Sequence, residues 1–234
     1  MPQQPIELHI WPTPNAYKIT MMLEECALPY TPKYVNIMRG EQFGPDFLKI
    51  APNNRMPAIV DPDGPGGQPI SVFESGAILQ YLGRKTGKFY PKDERNRVAI
   101  DEWLFWQMAG LGPMAGQCHH FRIYAPEKLP YAVDRYTNEV NRLYGVLNRR
   151  LARRDYVCDD YSIADMAIYP WIRPYKNQGQ DLVAFPNLER WFARVRARPA
   201  TERAVKVGEE VRQGASSLAD DKEAQKILFG QKAR

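Results

Sequence analysis

The chain has 234 residues, 44% of them hydrophobic and 25% charged, enough for one large domain or two small ones with a full core. Its formal charge of +5 is modest and scattered, and no apolar run approaches the length of a membrane span, which argues against nucleic-acid and membrane roles. Three cysteines, Cys26, Cys118 and Cys158, are odd in number and far apart, so neither a disulfide framework nor a zinc knuckle is expected.

The start Met1-Pro2-Gln3-Gln4-Pro5 lacks a basic stretch followed by an apolar one, so a cytoplasmic protein is expected. Ile6, Leu8 and Ile10 alternate with Glu7 and His9, the period of a half-buried strand. After Asn15 the apolar spacing changes to Ala16, Ile19, Met22, Leu23, Cys26 and Ala27, one stripe of an amphipathic helix. Between the two lies Trp11-Pro12-Thr13-Pro14-Asn15-Ala16-Tyr17-Lys18, a turn stiffened by its prolines. Thr13 or Asn15 is expected to cap the helix, so that N–H groups and the positive end of the dipole converge on the turn. Such a place suits an anion, and a thiolate is an anion. The turn itself carries no sulfur, so a thiol handled there must come on a bound small molecule. The plain alternative is an ordinary capped helix start. Cys26, on the apolar stripe, is expected to be buried and inert.

Pro29 ends the helical pattern and Tyr30 to Ile37 reads as a second strand, followed by a short helix over Gln42 to Ile50. Ala51-Pro52-Asn53-Asn54-Arg55 is turn chemistry and leads into the short strand Met56-Pro57-Ala58-Ile59-Val60-Asp61. A proline at the head of a strand fits a cis Met56–Pro57 bond, which leaves the Met56 backbone groups open to an extended, peptide-like ligand. The Gly- and Pro-rich stretch 61–67 is a turn, and Gln68 to Phe73 returns as the hairpin partner. Glu74-Ser75-Gly76-Ala77-Ile78-Leu79 then opens a helix reaching about Thr86. Its carboxylate and hydroxyl cap that helix, and the same pair suits the ammonium and carboxylate of an amino-acid-like ligand end.

Past a linker at 87–93 the strand signal stops and the composition turns helical and rich in Trp and Arg. A long helix is expected over Glu94 to Phe121, apolar all round at Trp103 to Trp106, as packing against a second subunit requires. Gly110, Gly112, Pro113 and Gly116 kink it or admit a close neighbour. Cys118, His119 and His120 are adjacent on a helix and point apart, so no metal site is expected there. The next helix, to about Arg154, carries Tyr131 and Arg135 on one face of its first turns, and an arginine there hints at a ligand or partner. The cluster Arg149, Arg150, Arg153 and Arg154 complements that helix's C-terminal dipole. Ser162-Ile163-Ala164-Asp165 is a capping box before a buried helix, with helices at 187–196 and from Pro199 beyond it. From Gln213 the chain reads as a frayed or appended tail.

The order Thr13-Pro14-Asn15, Ala51-Pro52-Asn53-Asn54, Met56-Pro57, Phe73-Glu74-Ser75-Gly76-Ala77-Ile78-Leu79, the 103–117 run and the Ser162/Asp165 box resembles the glutathione transferases. Within them it is similar to the Nu class, bacterial disulfide-bond reductases related to fungal Ure-type proteins. The resemblance implies an α/β plus all-α protein. A thioredoxin-like βαβ-ββα domain (1–88) would be followed by an all-helical domain (94–212) and the tail (213–234). It further implies that Thr13 and Asn15 hold the glutathione sulfur and that Gln42 and Arg55 lie beside the glycyl and backbone portions. Met56 and Pro57 would take the cysteinyl backbone, Glu74 and Ser75 the γ-glutamyl end, and Arg135 a second glutathione. Two glutathione molecules or one oxidised pair per site, a homodimer, and disulfide or hydroperoxide substrates are implied as well. Conjugation of electrophiles and a non-catalytic glutathione-binding module are the competing readings.

Overall fold

The computed structural model describes residues 4–214 and 218–232. Strand β1 (Ile6–Ile10) buries Ile6, Leu8 and Ile10 and leaves Glu7 and His9 half-buried, as its alternation dictates. Helix α1 (Pro14–Cys26) follows, with Pro14 in its first turn, where a missing N–H leaves no helical bond unmade. It is buried on every side from Ala16 to Leu23. β2 (Tyr30–Tyr34) pairs parallel with β1, Ile6 opposite Tyr30, and stops three residues earlier than the apolar pattern predicts.

The helix predicted over 42–50 is split into a single 3₁₀ turn, Glu41–Phe43, and α2 (Pro45–Ile50), because Gly44 takes extended backbone and Pro45 starts a new turn. β3 (Ala58–Asp61) and β4 (Ile70–Phe73) form an antiparallel hairpin, and β3 also runs antiparallel to β1. The sheet order is β2-β1-β3-β4, and the Met56–Pro57 bond is cis. Helix α3 (Ser75–Thr86) leaves the sheet directly after Glu74.

The predicted helix over 94–121 is interrupted. α4 (Glu94–Trp106) and α5 (Gly112–His119) are joined by a π-helical turn at Gln107–Leu111, and a second one runs from His120 to Tyr124. Gly112 explains the first: a Cβ there would stand 2.8 Å from Gln107 Nε2, so only glycine lets the wider turn close. α6 (Pro130–Arg150), α7 (Ile163–Ile172) and α8 (Pro186–Arg196) complete this part, with Leu104, Leu111, Val140, Leu143, Ile168 and Trp191 in its core. Of the arginine cluster, Arg150 donates to the Val157 carbonyl and stacks on Trp103, and Arg154 pairs with Asp159.

α9 (Pro199–Lys206) and α10 (Glu209–Gln213) bring the chain back to the N-terminal part. Arg203 donates to Glu24, and the Ala204 carbonyl accepts from Thr20. Gly208, at φ +80, passes so close to Pro12 that a Cβ would meet its ring at 2.8 Å. Within the segment expected to be a frayed or appended tail lies α11 (Lys222–Phe229), with Asp221 accepting from the Ala224 N–H. Ala224 is buried against Trp11 and Met38, with Met56 and Leu218 at the margin of the same cluster. Contacts thus gather the residues up to Leu79 and those from Arg203 onward into one compact unit, and Gln80–Glu202 into another. The divisions fall inside α3 and α9, which run through as single helices.

Candidate active site

In the first unit, β1 and β4 run in one direction and β3 against both. The C-terminal ends of β1 and β4 and the N-terminal end of β3 therefore meet at one end of the sheet. That topology gathers Thr13 and Asn15 after β1, Met56 and Pro57 before β3, and Glu74 and Ser75 after β4. The register Ala58 opposite Phe73 sets Met56–Pro57 beside Glu74–Ser75.

Thr13 is the N-cap residue of α1 in extended backbone, but its hydroxyl makes no capping bond, contrary to the prediction. Its carbonyl is engaged instead, accepting from the N–H groups of Ala16 and Tyr17 at 3.0 and 3.3 Å. The half-buried Thr13 hydroxyl is thus left uncommitted by the helix it starts, at the positive end of the dipole. Asn15 is half-buried one residue into the helix, and Tyr17 is buried within it.

The β3 ladder starts at Ala58, so the Met56 backbone lies ahead of it. Pro57 is buried, Met56 half-buried and Arg55 exposed. Glu74 takes the left-handed conformation (φ 67), and its carboxylate accepts from Asn53 Nδ2 at 3.3 Å. Ser75, buried at the first position of α3, accepts from Lys18 Nζ at 3.4 Å. Gln42, 1% exposed in the 3₁₀ turn, donates to the Ile37 carbonyl, and its Oε1 has no hydrogen-bond partner among the described residues.

Two members of this arrangement escaped the sequence reading. Asn53 was visible only as a turn residue, and Lys18 falls inside a helix whose neighbours are all buried, a position where a lysine signals a specific partner.

No cysteine joins the turn. All three are free and buried. Burial pushes the Cys118 thiol up, against Thr137 and Arg122, and pushes Cys158 up to about 11 with the nearby Asp165 carboxylate adding to it. Neither is poised to be a thiolate at neutral pH.

Arg135 belongs to the other unit. It is exposed near the start of α6 and pairs with Glu139 one turn on, at 3.9 Å, while Arg142 holds the same carboxylate at 2.7 Å. Tyr131 is 84% exposed on the same face. His119 stacks on Trp171 and burial lowers its pKa, as expected for a packed imidazole. Among the described residues no three His, Cys, Asp or Glu side chains cluster as metal ligands, and no helix is long and apolar enough to cross a membrane.

Comparison with known proteins shows the family of the chain. Residues 13–85 match the glutathione S-transferase N-terminal domain and residues 111–199 the C-terminal domain. The disulfide-bond oxidoreductase YfcG of Escherichia coli (strain K12) is 50% identical over 202 residues, covering 86% of this chain and 94% of that protein. The chain belongs to the glutathione S-transferase family. As the family's fold requires, this transferase-family chain has a thioredoxin-like four-stranded domain and a helical domain. A glutathione transferase from Pseudomonas putida, solved with one glutathione disulfide bound per subunit, superposes with a TM-score of 0.83 at 42% identity, over 87% of this chain and 91% of that one. One from Burkholderia graminis, solved with two glutathione molecules per subunit, gives 0.82 at 42% identity, over 86% and 87%.

Proposed function

We propose that the protein is a glutathione-dependent disulfide-bond reductase of the Nu class that uses a borrowed thiol. The observation that carries this reading is the pairing of an uncommitted Thr13 hydroxyl at the α1 N-terminus with cysteines that are all buried. The names and bound ligands of the relatives support it: a disulfide-bond oxidoreductase at 50% identity, and neighbours holding oxidised glutathione or two glutathiones.

Thr13, Asn15 and the α1 dipole lower the bound thiol's pKa from about 8.5 toward about 7. The thiolate attacks one sulfur of a disulfide; a glutathionyl mixed disulfide forms and the other substrate sulfur leaves as thiolate, then takes a proton. A second glutathione thiolate attacks the mixed disulfide, releasing the remaining substrate thiol and oxidised glutathione. Met56 and Pro57 bind the cysteinyl backbone as an added strand, Gln42 and Arg55 the glycyl side, and Glu74 and Ser75 the γ-glutamyl ammonium and carboxylate. Arg135 holds the second glutathione. An organic hydroperoxide is a further substrate: the thiolate takes the distal oxygen, the alkoxide leaves as alcohol, and the second glutathione converts the sulfenic acid to disulfide and water.

The test is the triple variant Cys26→Ala, Cys118→Ala, Cys158→Ala, assayed with 2-hydroxyethyl disulfide at a temperature where circular dichroism reports it folded. Turnover within about threefold of the parent is expected, since buried inert thiols contribute packing alone. Abolished turnover would mean that a protein sulfur carries the reaction.

Free buried cysteines and a need for reduced glutathione point to the cytoplasm. We also read α4 as a homodimer face, because Val98 and Phe105, two helical turns apart, are both exposed, Phe105 by 62%. Sedimentation at micromolar concentration should give a dimer that Phe105→Glu converts to monomer; a monomeric parent overturns this.

A further inference from the structure

Helix α11 has eight residues, too few to hold a helix in water unless something buries one face of it. Ala224 is 1% exposed and rests on Trp11 and Met38, each 9% exposed, with Ile37, Met56, Val211 and Leu218 packed against the same cluster. Nearly one turn further on, Ile227 abuts the loop after β2: a Cβ built on Gly40 would lie 3.8 Å from its Cγ2. Arg39 and Glu223 add an exposed ion pair at 3.9 Å, which contributes little by itself. β2 runs parallel to β1, so the loop after it leaves from the same end of the sheet as the β1–α1 turn. One helix from the end of the chain therefore packs on three pieces of the site-bearing end: that turn, that loop and the residue before the cis bond.

Each piece carries a residue that the glutathione reading uses. Trp11 stands two residues before Thr13, Met38 four before Gln42, and Met56 is itself the edge offered to the cysteinyl backbone. The rest of the fold sets them unequally. The Thr13 turn is fixed locally, by its flanking prolines and by the bonds of its carbonyl with Ala16 and Tyr17. The loop at 36–44 is shaped by bonds among its own residues. The Asn36 carbonyl accepts from the N–H groups of Arg39 and Glu41, its side chain from that of Met38, and Gln42 Nε2 donates to the Ile37 carbonyl. Such bonds give the loop its internal shape, while side-chain packing places it against the sheet. Met56 lies ahead of the β3 ladder, which starts at Ala58, and is placed by packing as well. The α11 cluster joins the two, since Met38 belongs to it and Met56 packs against it.

We propose that Ala224 is a positioning residue for glutathione: through it α11 docks and sets the spacing between Met56 and the loop that carries Gln42. Resting on the glutathione reading, this makes the last helix part of the binding machinery. It governs how tightly the tripeptide is held, and leaves ionisation of the thiol to the Thr13 turn. Linkage makes the effect reciprocal. If undocking of α11 lowers affinity about tenfold, saturating ligand makes undocking about tenfold rarer.

The probe is S-methylglutathione, which has no thiol to titrate, bound to the full chain in titration calorimetry. Ala224→Glu, which sets a longer, charged side chain against Trp11 and Met38, should weaken binding by about tenfold. Ala224→Ser, nearly the same size, should stay within about twofold of the parent. In reduction of 2-hydroxyethyl disulfide, the glutathione KM of Ala224→Glu should rise by a similar factor, while kcat and the inflection of the pH–rate profile hold. A helix that merely adds stability would lower the unfolding midpoint and leave affinity and KM at the parent's values, and that result overturns the proposal. Should Ala224→Glu not fold, hydrogen exchange on the parent decides. Amides of Lys222–Phe229 should then exchange about tenfold more slowly with saturating S-methylglutathione, and an unchanged rate overturns the proposal. A parent that does not bind S-methylglutathione refutes the glutathione reading and this proposal with it. That outcome is distinct from a parent that binds while α11 exchanges as before.

Discussion

Replacing Thr13 and Asn15 together with alanine is expected to slow disulfide reduction at pH 7 by about three- to fifteenfold, with little loss at pH 9.5. The reasoning starts from the thiol. In water a cysteine-type thiol with a pKa of about 8.5 is only a few per cent ionised at pH 7. The α1 N-terminus supplies its dipole in either protein, but two hydrogen-bonding side chains are gone in the variant. Each such bond to a charged acceptor contributes about 1.5–3 kcal/mol, and only the thiolate accepts it at full strength. The sign follows directly: donors to the ionised form lower the pKa, so their loss raises it and moves the ascending limb of the pH–rate profile to higher pH. At high pH solution chemistry ionises the thiol without help, and the two proteins should converge. A profile whose inflection stays put, whatever happens to its height, would separate Thr13 and Asn15 from thiol activation.

This expectation rests on what the Thr13 hydroxyl does not do. Sequence patterns favour threonine as a cap and predict that its oxygen is engaged with the helix. In the structure Pro14 occupies the next position, so the first amide of the helix is absent, and the Thr13 carbonyl takes the N–H groups of Ala16 and Tyr17. The cap's usual task is done by backbone, and the side chain is left for another partner. A substitution such as Thr13→Ala should for that reason cost less stability than a normal capping loss.

Local signals carried well where chemistry and period agree within a few residues. Ile6, Leu8 and Ile10 declare β1, Glu74-Ser75 the start of α3, and Ser162 with Asp165 the start of α7. What the sequence hid depends on distant partners. Lys18 looks like an ordinary helix lysine until β4 returns Ser75, 57 residues later, to its amine. α11 is a short stretch of mixed charged and apolar residues, and Trp11 and Met38, far back in the chain, make a buried place for Ala224. The π-helical turns at 107–111 and 120–124 escape a 3.6-residue template because each inserts extra backbone without interrupting the apolar character of the run. Arg135 shows the converse limit. Its type and position suggest a ligand, yet within its own unit its partner is Glu139.

Asp165→Ala is expected to destabilise the helical unit by about 3–5 kcal/mol, a large share of the 5–15 kcal/mol typical of a whole domain. Asp165 is fully buried and accepts from four donors: the Val157 N–H at 2.9 Å, the Trp191 indole N–H at 2.8 Å, the Ser162 N–H at 3.0 Å and the Ser162 hydroxyl at 3.3 Å. Burial pushes its carboxyl up to about 6, and these hydrogen bonds pull the other way. Alanine would leave three obligate N–H donors in an apolar interior with neither acceptor nor water, each costing about 1–3 kcal/mol, and would detach Trp191 from the start of α7. Ser162 would keep its bond from the Ala164 N–H at 3.3 Å, so half of the capping box survives and the loss falls on the link between α7 and α8. Asp165→Asn retains the volume and one carbonyl oxygen, so about half the loss is expected there. Urea unfolding followed by near-ultraviolet dichroism, which reports the Trp191 environment, measures both. A cost below about 1 kcal/mol for alanine would mean that water enters and satisfies the stranded donors. Activity per folded molecule should stay at the parent's level in either variant, because this carboxylate closes a helix and anchors an indole, whereas the thiol chemistry belongs to the end of the sheet where Thr13 stands.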